Sequence, residues 1–493
     1  MTAVRPRLSR ATRARLPEEV VDELPPPETG TGIVHLGPGA FHRAHQAVYT
    51  QWAMAVEPGD WGICAAAARG RTVVDALRAQ DHLYTVTERA ADGADRVRAV
   101  GAITGSAAAV YEPERLAAAV AAPTTHIVSL TVTEGGYRHD PATGLLSPTD
   151  PEIAADAAGR PPRTAVGQLA RGLQARSRTG DAPPLTVLPC DNLPQNGRLL
   201  RGLVESFCAR LPASEGAPLL EWIRARVSFC STMVDQVVPA IAEADLERVA
   251  AQLGLADDAT VVGEEYRSWV IEDRFAGPRP AWDRVGALFA ADVRPHEAVK
   301  LRCINATQSA AACLGLLLGA ETMAEAVGRL DLRRFLRALY TSELAPSAAA
   351  SGGEPPGFDA LLVRLGNPHL QHRLAQIAQQ GLGKLPQRLV APAAEQVRDG
   401  GEPRLAPLAV AAWVRLLRMP AGERPRLDPA SEDVAVRLAA ARYATEAVDL
   451  LRERLPGLSG ESGARPDAGD RVAEALRALE VRGAAAALRE VAD

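Results

Sequence analysis

Between positions 297 and 308 a carboxylate, an amine and two carboxamides (Glu297, Lys300, Asn305 and Gln308) stand in an otherwise mostly apolar run that begins just after Pro295 and continues through residues 310–318. The pattern predicts one long helix with no breaker before Gly315. At roughly 100° per residue the four polar side chains fall in a sector about 140° wide. Burial penalises the charged form of a lysine, and a neutral amine can take the proton of an alcohol. A carboxamide beside it can hold the resulting oxygen. A lone lysine would more simply snorkel to solvent or pair with Glu297 one turn earlier. Asn305 is what argues for chemistry at Lys300.

Such a base needs a redox partner, and the N-terminal part of the chain is built to position one. Residues 32–36 predict a short buried strand that runs directly into Gly37-Pro38-Gly39-Ala40-Phe41-His42. In a strand–turn–helix of this kind Gly37 allows the tight turn and Gly39 lets the backbone approach a pyrophosphate. His42 stands where a third glycine is usual, and Gly-x-Gly after a strand also describes an ordinary turn. The next strand, over residues 61–66, should end in an acid that binds the adenosine ribose. It is followed instead by Arg69 and Arg71, which are either solvated or suited to a 2′-phosphate, so NADP stays open beside NAD.

Further strands are expected at 84–87, 97–103, 126–132 and 185–188, alternating with helices as a parallel sheet requires. The strand at 126–132 empties into a glycine loop with Thr133 and Glu134, and the one at 185–188 exits toward Asn192. Asp235 lies in an apolar run, where an acid needs a partner. From about residue 285 the pattern is mainly helical, with loops at 347–357, 420–429 and 457–467. The fold class is therefore α/β, with a Rossmann-type dinucleotide-binding domain over 1–285 and a mainly α-helical substrate-binding domain over 286–493.

Bulk properties narrow the function classes. A chain of 493 residues exceeds one ordinary core, and its 47% hydrophobic and 23% charged residues suit a soluble globular protein. A net charge of −5 without a basic block argues against nucleic-acid or membrane-surface partners. The six cysteines form no Cys-x-x-Cys pair, so neither a disulfide framework nor a zinc site is expected, and no other metal is. The longest apolar run is too short to span a bilayer, and the Arg-rich first sixteen residues lack the apolar stretch of a secretory signal. The expectation is a cytoplasmic protein acting on a small molecule, with its oligomeric state open.

The motifs Ile33-Val-His-Leu-Gly-Pro-Gly-Ala-Phe-His-Arg-Ala-His45, Ser129-Leu-Thr-Val-Thr-Glu134, Cys190-Asp-Asn192, Thr232-Met-Val-Asp235, Trp269-Val-Ile-Glu-Asp273 and Lys300-Leu-Arg302 together resemble the long-chain polyol dehydrogenases, the mannitol dehydrogenase family. Asn367-Pro368, His372-Arg373, Gln376-Ile-Ala378 and Lys384-Leu-Pro-Gln-Arg388 resemble its branch acting on D-mannonate and D-fructuronate more than the branch acting on mannitol. The resemblance implies metal-independent, NAD(P)-linked interconversion of a secondary alcohol and a ketone on a sugar acid or polyol.

It assigns Lys300 as general base, Asn192 and Asn305 as the pair that holds the substrate oxygen, Asp235 as a supporting acid and Glu297 as a proton relay. Gly37, Pro38, Gly39, Ala40, Phe41, Arg69, Thr133 and Glu134 are the expected cofactor contacts. Gln308, Arg373 and Lys384 are the expected substrate contacts, the two cations suiting a carboxylate. Gln308 replaces a histidine usual in the family, Gln236 an arginine, and Gln380 and Leu382 the Asp and Ser of an Asp-Gly-Ser. With base and asparagines kept, these changes bear on the substrate. Mannitol oxidation and a non-catalytic dinucleotide or sugar-acid sensor stand as alternatives to D-mannonate/D-fructuronate.

Overall fold

Among the described residues, twelve short strands organise the N-terminal part of the molecule: β1 (Thr31–Leu36), β2 (Gly62–Ala67), β3 (Tyr84–Arg89), β4 (Asp95–Val100), β5 (Ile103–Ala108), β6 (Ile127–Leu130), β7 (Leu185–Pro189), β8 (Val227–Phe229), β9 (Thr232–Asp235), β10 (Val261–Glu264), β11 (Ser268–Glu272) and β12 (Leu288–Ala290). The computed structural model describes residues 5–140, 143–460 and 466–492, and the chain divides into two units, Met1–Val293 and Arg294–Asp493.

Six strands of the first unit form one sheet in the order β5-β2-β1-β6-β7-β8, every neighbouring pair parallel. The order reverses between β1 and β6, the point at which open α/β sheets bind ligands beyond the carboxyl ends of their strands. β2, β6 and β7 are buried along their whole length and β1 along all but its first residue, because helices cover the sheet. That burial is why these strands read as continuous apolar runs rather than as alternating ones.

The expected strands at 84–87 and 97–103 do not extend the parallel sheet. β3 and β4 pair antiparallel, from Tyr84 with Val100 to Arg89 with Asp95, and β10 adds to β3 to make a separate three-stranded sheet. The five residues between them, 90–94, are too few for the crossover that parallel pairing needs. The extended run over 97–103 is also split. Buried Gln51 donates to Ala99 O, near the end of β4, and accepts from Gly101 N just beyond it, 2.9 and 2.8 Å. A third sheet joins β9, β11 and β12, so helical character begins at Arg294 rather than at 285.

The second unit is helical around a single apolar core. Its central helix, Leu405–Leu417, is buried at all but one of its thirteen positions. The loop expected over 347–357 begins only after the helix Ala345–Ala350, and the loop expected over 457–467 lies partly outside the described residues. The long helix expected from 297 onward is not uniformly α-helical. Arg294–Ala298 is α, Val299–Asn305 is π, and Ala306–Leu317 returns to α. Two more π segments occur at Tyr340–Leu344 and Pro386–Val390. The i→i+5 turn is rare and frequently marks a functional site, and its extra residue changes which side chains share a face.

Candidate active site

β1 exits into a turn whose carbonyl groups are bound from inside. Gly37 has φ +96°, and a Cβ there would lie 2.4 Å from Thr131 O, so both conformation and space demand glycine. Gly37 O accepts from Gly39 N at 2.6 Å, from the Thr131 hydroxyl at 2.5 Å and from His35 Nε2 at 3.2 Å. Since a carbonyl only accepts, Nε2 carries the hydrogen, and His35 Nδ1 accepts from Ser129 Oγ at 2.8 Å. Burial pushes the His35 pKa down to about 3, which keeps the ring neutral. His42 stacks on it with ring centroids 3.3 Å apart. Pro38 O accepts from Arg43 Nη1 at 2.6 Å, and Arg43 Nε is anchored on Ala259 O at 3.2 Å.

Outside this inward-facing turn lies open space. Gly39 is exposed, and the nearest atom a Cβ there would meet is Gly37 O, 3.9 Å away. Pro38 is buried, and Ala40 and Phe41 are half-buried at the start of the helix Ala40–Ala44. A turn with its carbonyls occupied and its glycine flank open fits the pyrophosphate of a dinucleotide. Gly37→Ala is expected to weaken dinucleotide binding about tenfold or more, equivalent to about 1.4 kcal/mol, as read by fluorescence titration with the reduced dinucleotide. Unchanged affinity would show that this turn does not hold the ligand.

The other sheet residues named by the sequence lie at the same carboxyl edge. Arg69, just beyond β2, is exposed and paired with Glu152 at 3.0 Å. Thr133 is exposed after β6 and immediately precedes the short 3-10 turn Glu134–Tyr137; the side chain of Glu134 lies outside the described residues. Tyr137 is fully buried and donates its hydroxyl to the Asp191 carboxylate, tying the exit of β6 to that of β7. Burial and that carboxylate hold the Tyr137 phenol well above its ordinary pKa. Asn192 is exposed immediately after.

Asn196 was not singled out from the sequence, yet it organises this corner. Its amide donates to Pro189 O, Asp191 O and Thr232 O, and its oxygen accepts from Thr232 N at 2.9 Å, joining the exit of β7 to β9 and so to Asp235. Asp235 is buried at the end of β9. The neighbouring Gln236, where arginine is usual, donates to Glu264 O at 3.0 Å. The signal for Asn196 was present in the sequence only as a turn-forming asparagine.

In the second unit Glu297, Lys300 and Asn305 are each less than 10% exposed, and Gln308 is half-buried. Lys300 and Asn305 both sit in the π segment, which advances less per residue than an α-helix and alters the face expected from a 100° step. The segment is fastened from three sides. Arg302 forms a two-pronged ion pair with Glu395, 2.6 and 2.8 Å, and donates to Ser347 O and Oγ. Arg388, from the π segment Pro386–Val390, donates to Ser309 Oγ at 3.0 Å and reaches Asn305 O at 3.5 Å. Both arginines belong to motifs noticed in the sequence, but nothing there assigned them a partner.

The candidate substrate cations are placed differently from one another. Arg373 is exposed and paired with Glu321 at 3.0 Å. Lys384 is half-buried, 3.4 Å from Ile377 O; burial, and after it the charge of Lys384, lowers the His372 pKa to about 4. Gln380 adopts a left-handed conformation, φ 58°, with its N–H bonded to Asp428 at 2.7 Å, and Leu382 packs against the core. Among the described residues no group of three His, Cys, Asp or Glu is arranged to hold a metal ion, and no helix is long and apolar enough to cross a membrane.

Residues 31–284 match the family model of the mannitol dehydrogenase Rossmann domain, and residues 292–449 that of the mannitol dehydrogenase C-terminal domain. The chain is 40% identical to the D-mannonate oxidoreductase of Escherichia coli (strain K12) over 394 residues, 78% of this chain and 79% of that protein. It is 37% identical to a mannitol 2-dehydrogenase of Pyrenophora tritici-repentis over 393 residues, 78% and 69% of the two chains. Among solved structures, the ternary complex of Pseudomonas fluorescens mannitol 2-dehydrogenase with NAD and D-mannitol matches with a TM-score of 0.87 at 30% identity, covering 98% of this chain and 99% of that one. Both halves of the sequence, the parallel sheet with its glycine turn and the helical unit carrying Lys300, are thus accounted for together: the chain belongs to the mannitol dehydrogenase family of oxidoreductases.

Proposed function

We propose that the protein is an NAD-dependent dehydrogenase that interconverts D-mannonate and D-fructuronate. Residues 1–285 are read as the dinucleotide-binding domain and 286–493 as the substrate-binding domain. Support for the reaction comes above all from one observation, the buried amine of Lys300 on a π segment clamped by Arg302, Glu395, Ser347 and Arg388. A buried lysine carried on a segment held in this way can be presented to one proton at one position.

Bound NAD supplies the hydride acceptor for oxidation and, once reduced, the donor for the reverse. Lys300 Nζ accepts the proton of the substrate hydroxyl, and Glu297, three residues earlier on the same stretch, passes it toward solvent. The amide of Asn305 donates to the same oxygen as its charge develops, and Asn192 is assigned the second amide donor. Asp235 is assigned the role of a supporting acid. Pro38, Gly39, Ala40 and Phe41, together with Thr133 and Glu134, would hold the dinucleotide. Gln308 contacts a substrate hydroxyl as a neutral partner.

The choice of a sugar acid rests on Lys384 and on the similarity to the D-mannonate oxidoreductase of Escherichia coli. Arg373 would have to leave Glu321 to meet a carboxylate, and that pairing favours a second reading, a neutral ketose and its polyol. Reduced-nicotinamide absorbance followed with D-fructuronate, D-tagaturonate and D-fructose separates these readings. D-fructuronate is expected to give the highest kcat/KM, with Lys384→Met costing it more than D-fructose. A preference for D-fructose, or equal losses on both, would favour the polyol reading. Dinucleotide binding without turnover on any of the three would favour a sensor.

A further inference from the structure

The acid that commonly reads the adenosine ribose is missing from the end of β2, where Ala67-Ala68-Arg69-Gly70 stands instead. The structure supplies an acid from elsewhere. Glu152, in the first turn of the helix Pro151–Ala157 and 83 residues further along the chain, places Oε2 3.0 Å from Arg69 Nη2. Its backbone is fixed by Asp150, whose side chain accepts from Glu152 N and Ile153 N at 2.9 and 3.1 Å. Arg138 bonds Glu152 directly and holds Asp150 at 3.2 Å, while Arg163 lies 3.8 Å from the other carboxylate oxygen.

The position of Arg69 gives the pair its meaning. β2 lies beside β1 in register, Leu36 opposite Ala66, so Arg69 follows the strand next to the one that ends in the Gly37 turn. Gln168 donates to Ala68 O at 2.8 Å and steadies this exit, and a Cβ on Gly70 would meet nothing within 4 Å. The Arg69 side chain is 59% exposed and can reach a ligand there. Arg71, the next arginine along this exit, is held by two bonds to Asp75.

On these grounds, and resting on the reading of the Gly37 turn as a dinucleotide site, we infer that Glu152 selects the cofactor, engaging Arg69 and excluding an adenosine 2′-phosphate. A phosphate carries nearly two negative charges, and to reach Arg69 it must displace the Glu152 carboxylate or stand beside it. An unphosphorylated ribose meets no such repulsion, and its hydroxyl can donate to Glu152 or accept from Arg69. The helix-borne carboxylate does the work of the absent strand-end acid, and it also disarms the arginine that would otherwise welcome NADP.

The test uses the full-length protein as wild type, Glu152→Gln, Arg69→Ala and the double variant, with kcat/KM measured for NAD and NADP and with NADH and NADPH affinities from fluorescence titration. The wild type is expected to prefer NAD. Glu152→Gln should move the NADP-to-NAD ratio toward NADP by about tenfold or more, the worth of one charge-assisted contact. Arg69→Ala should lower that ratio, and the double variant should lose the gain because Arg69 makes the new phosphate contact. A wild type preferring NADP, an unchanged ratio in folded Glu152→Gln, or a gain that survives in the double variant would each overturn the assignment. If the wild type binds neither dinucleotide, the dinucleotide reading itself fails, whereas an NAD-binding protein with an unchanged ratio sinks only the role of Glu152.

Discussion

Replacing Lys300 by methionine is expected to lower kcat by about 10²–10⁴-fold, the usual contribution of a general base, with kcat/KM falling in parallel and dinucleotide affinity retained. Methionine fills nearly the same buried volume, so the loss reads chemistry rather than a cavity. Lys300 is 6% exposed, on a segment whose Arg302 pairs with Glu395 and Ser347 and whose Asn305 carbonyl is reached by Arg388, unlike a flexible surface lysine. Steady-state kinetics on a purified variant whose thermal transition matches the wild type decide the matter. A folded Lys300→Met protein with undiminished kcat would remove the lysine from the mechanism and leave the π segment without its assigned purpose.

The largest effect on stability is expected at Glu343. Its carboxylate accepts from three consecutive backbone N–H groups, those of Arg404, Leu405 and Ala406, at 2.9, 2.9 and 2.8 Å. These are orphan donors at the start of the buried helix Leu405–Leu417, whose own cap position, Arg404, provides no side-chain acceptor. A carboxylate there also complements the positive end of the helix dipole. Glu343→Ala leaves three donors unpaired, two of them buried, at about 1–3 kcal/mol each and partly relieved by entering water, so about 3 kcal/mol should be lost. For a unit of some 200 residues that is a fall of about 10 °C in its thermal transition, measurable by calorimetry. A shift below about 2 °C would mean that the helix start is satisfied in another way.

Glu343 and Lys300 illustrate why part of the protein was legible in advance and part was not. Strand β1, the Gly37-Pro38-Gly39 turn and the polar residues of the 297–308 stretch could be read because each is a local pattern, in which burial of a strand, a tight turn or a helical face leaves its mark on neighbouring residues. The antiparallel pairing of β3 with β4 was also written locally, in the shortness of their connection, although alternation of strand and helix suggested otherwise. The cap of Leu405–Leu417 was not, because its acceptor lies more than sixty residues away. Arg302 and Arg388 were visible within motifs, yet Glu395, Ser347 and Ser309 could not be paired with them without coordinates.

The sequence by itself determined the family, the α/β-then-helical order of the chain and the residue types that can hold a dinucleotide and move a proton, since these depend on composition, periodicity and short motifs. Tertiary structure decided what those residues are bonded to. It made Val299–Asn305 a π turn, closed the carbonyls of the Gly37 turn with His35, Thr131 and Arg43, and brought Glu152 to Arg69. The physical reason is that a hydrogen bond or ion pair is a relation between two groups in space, and for groups far apart along the chain only packing of the whole unit fixes that relation.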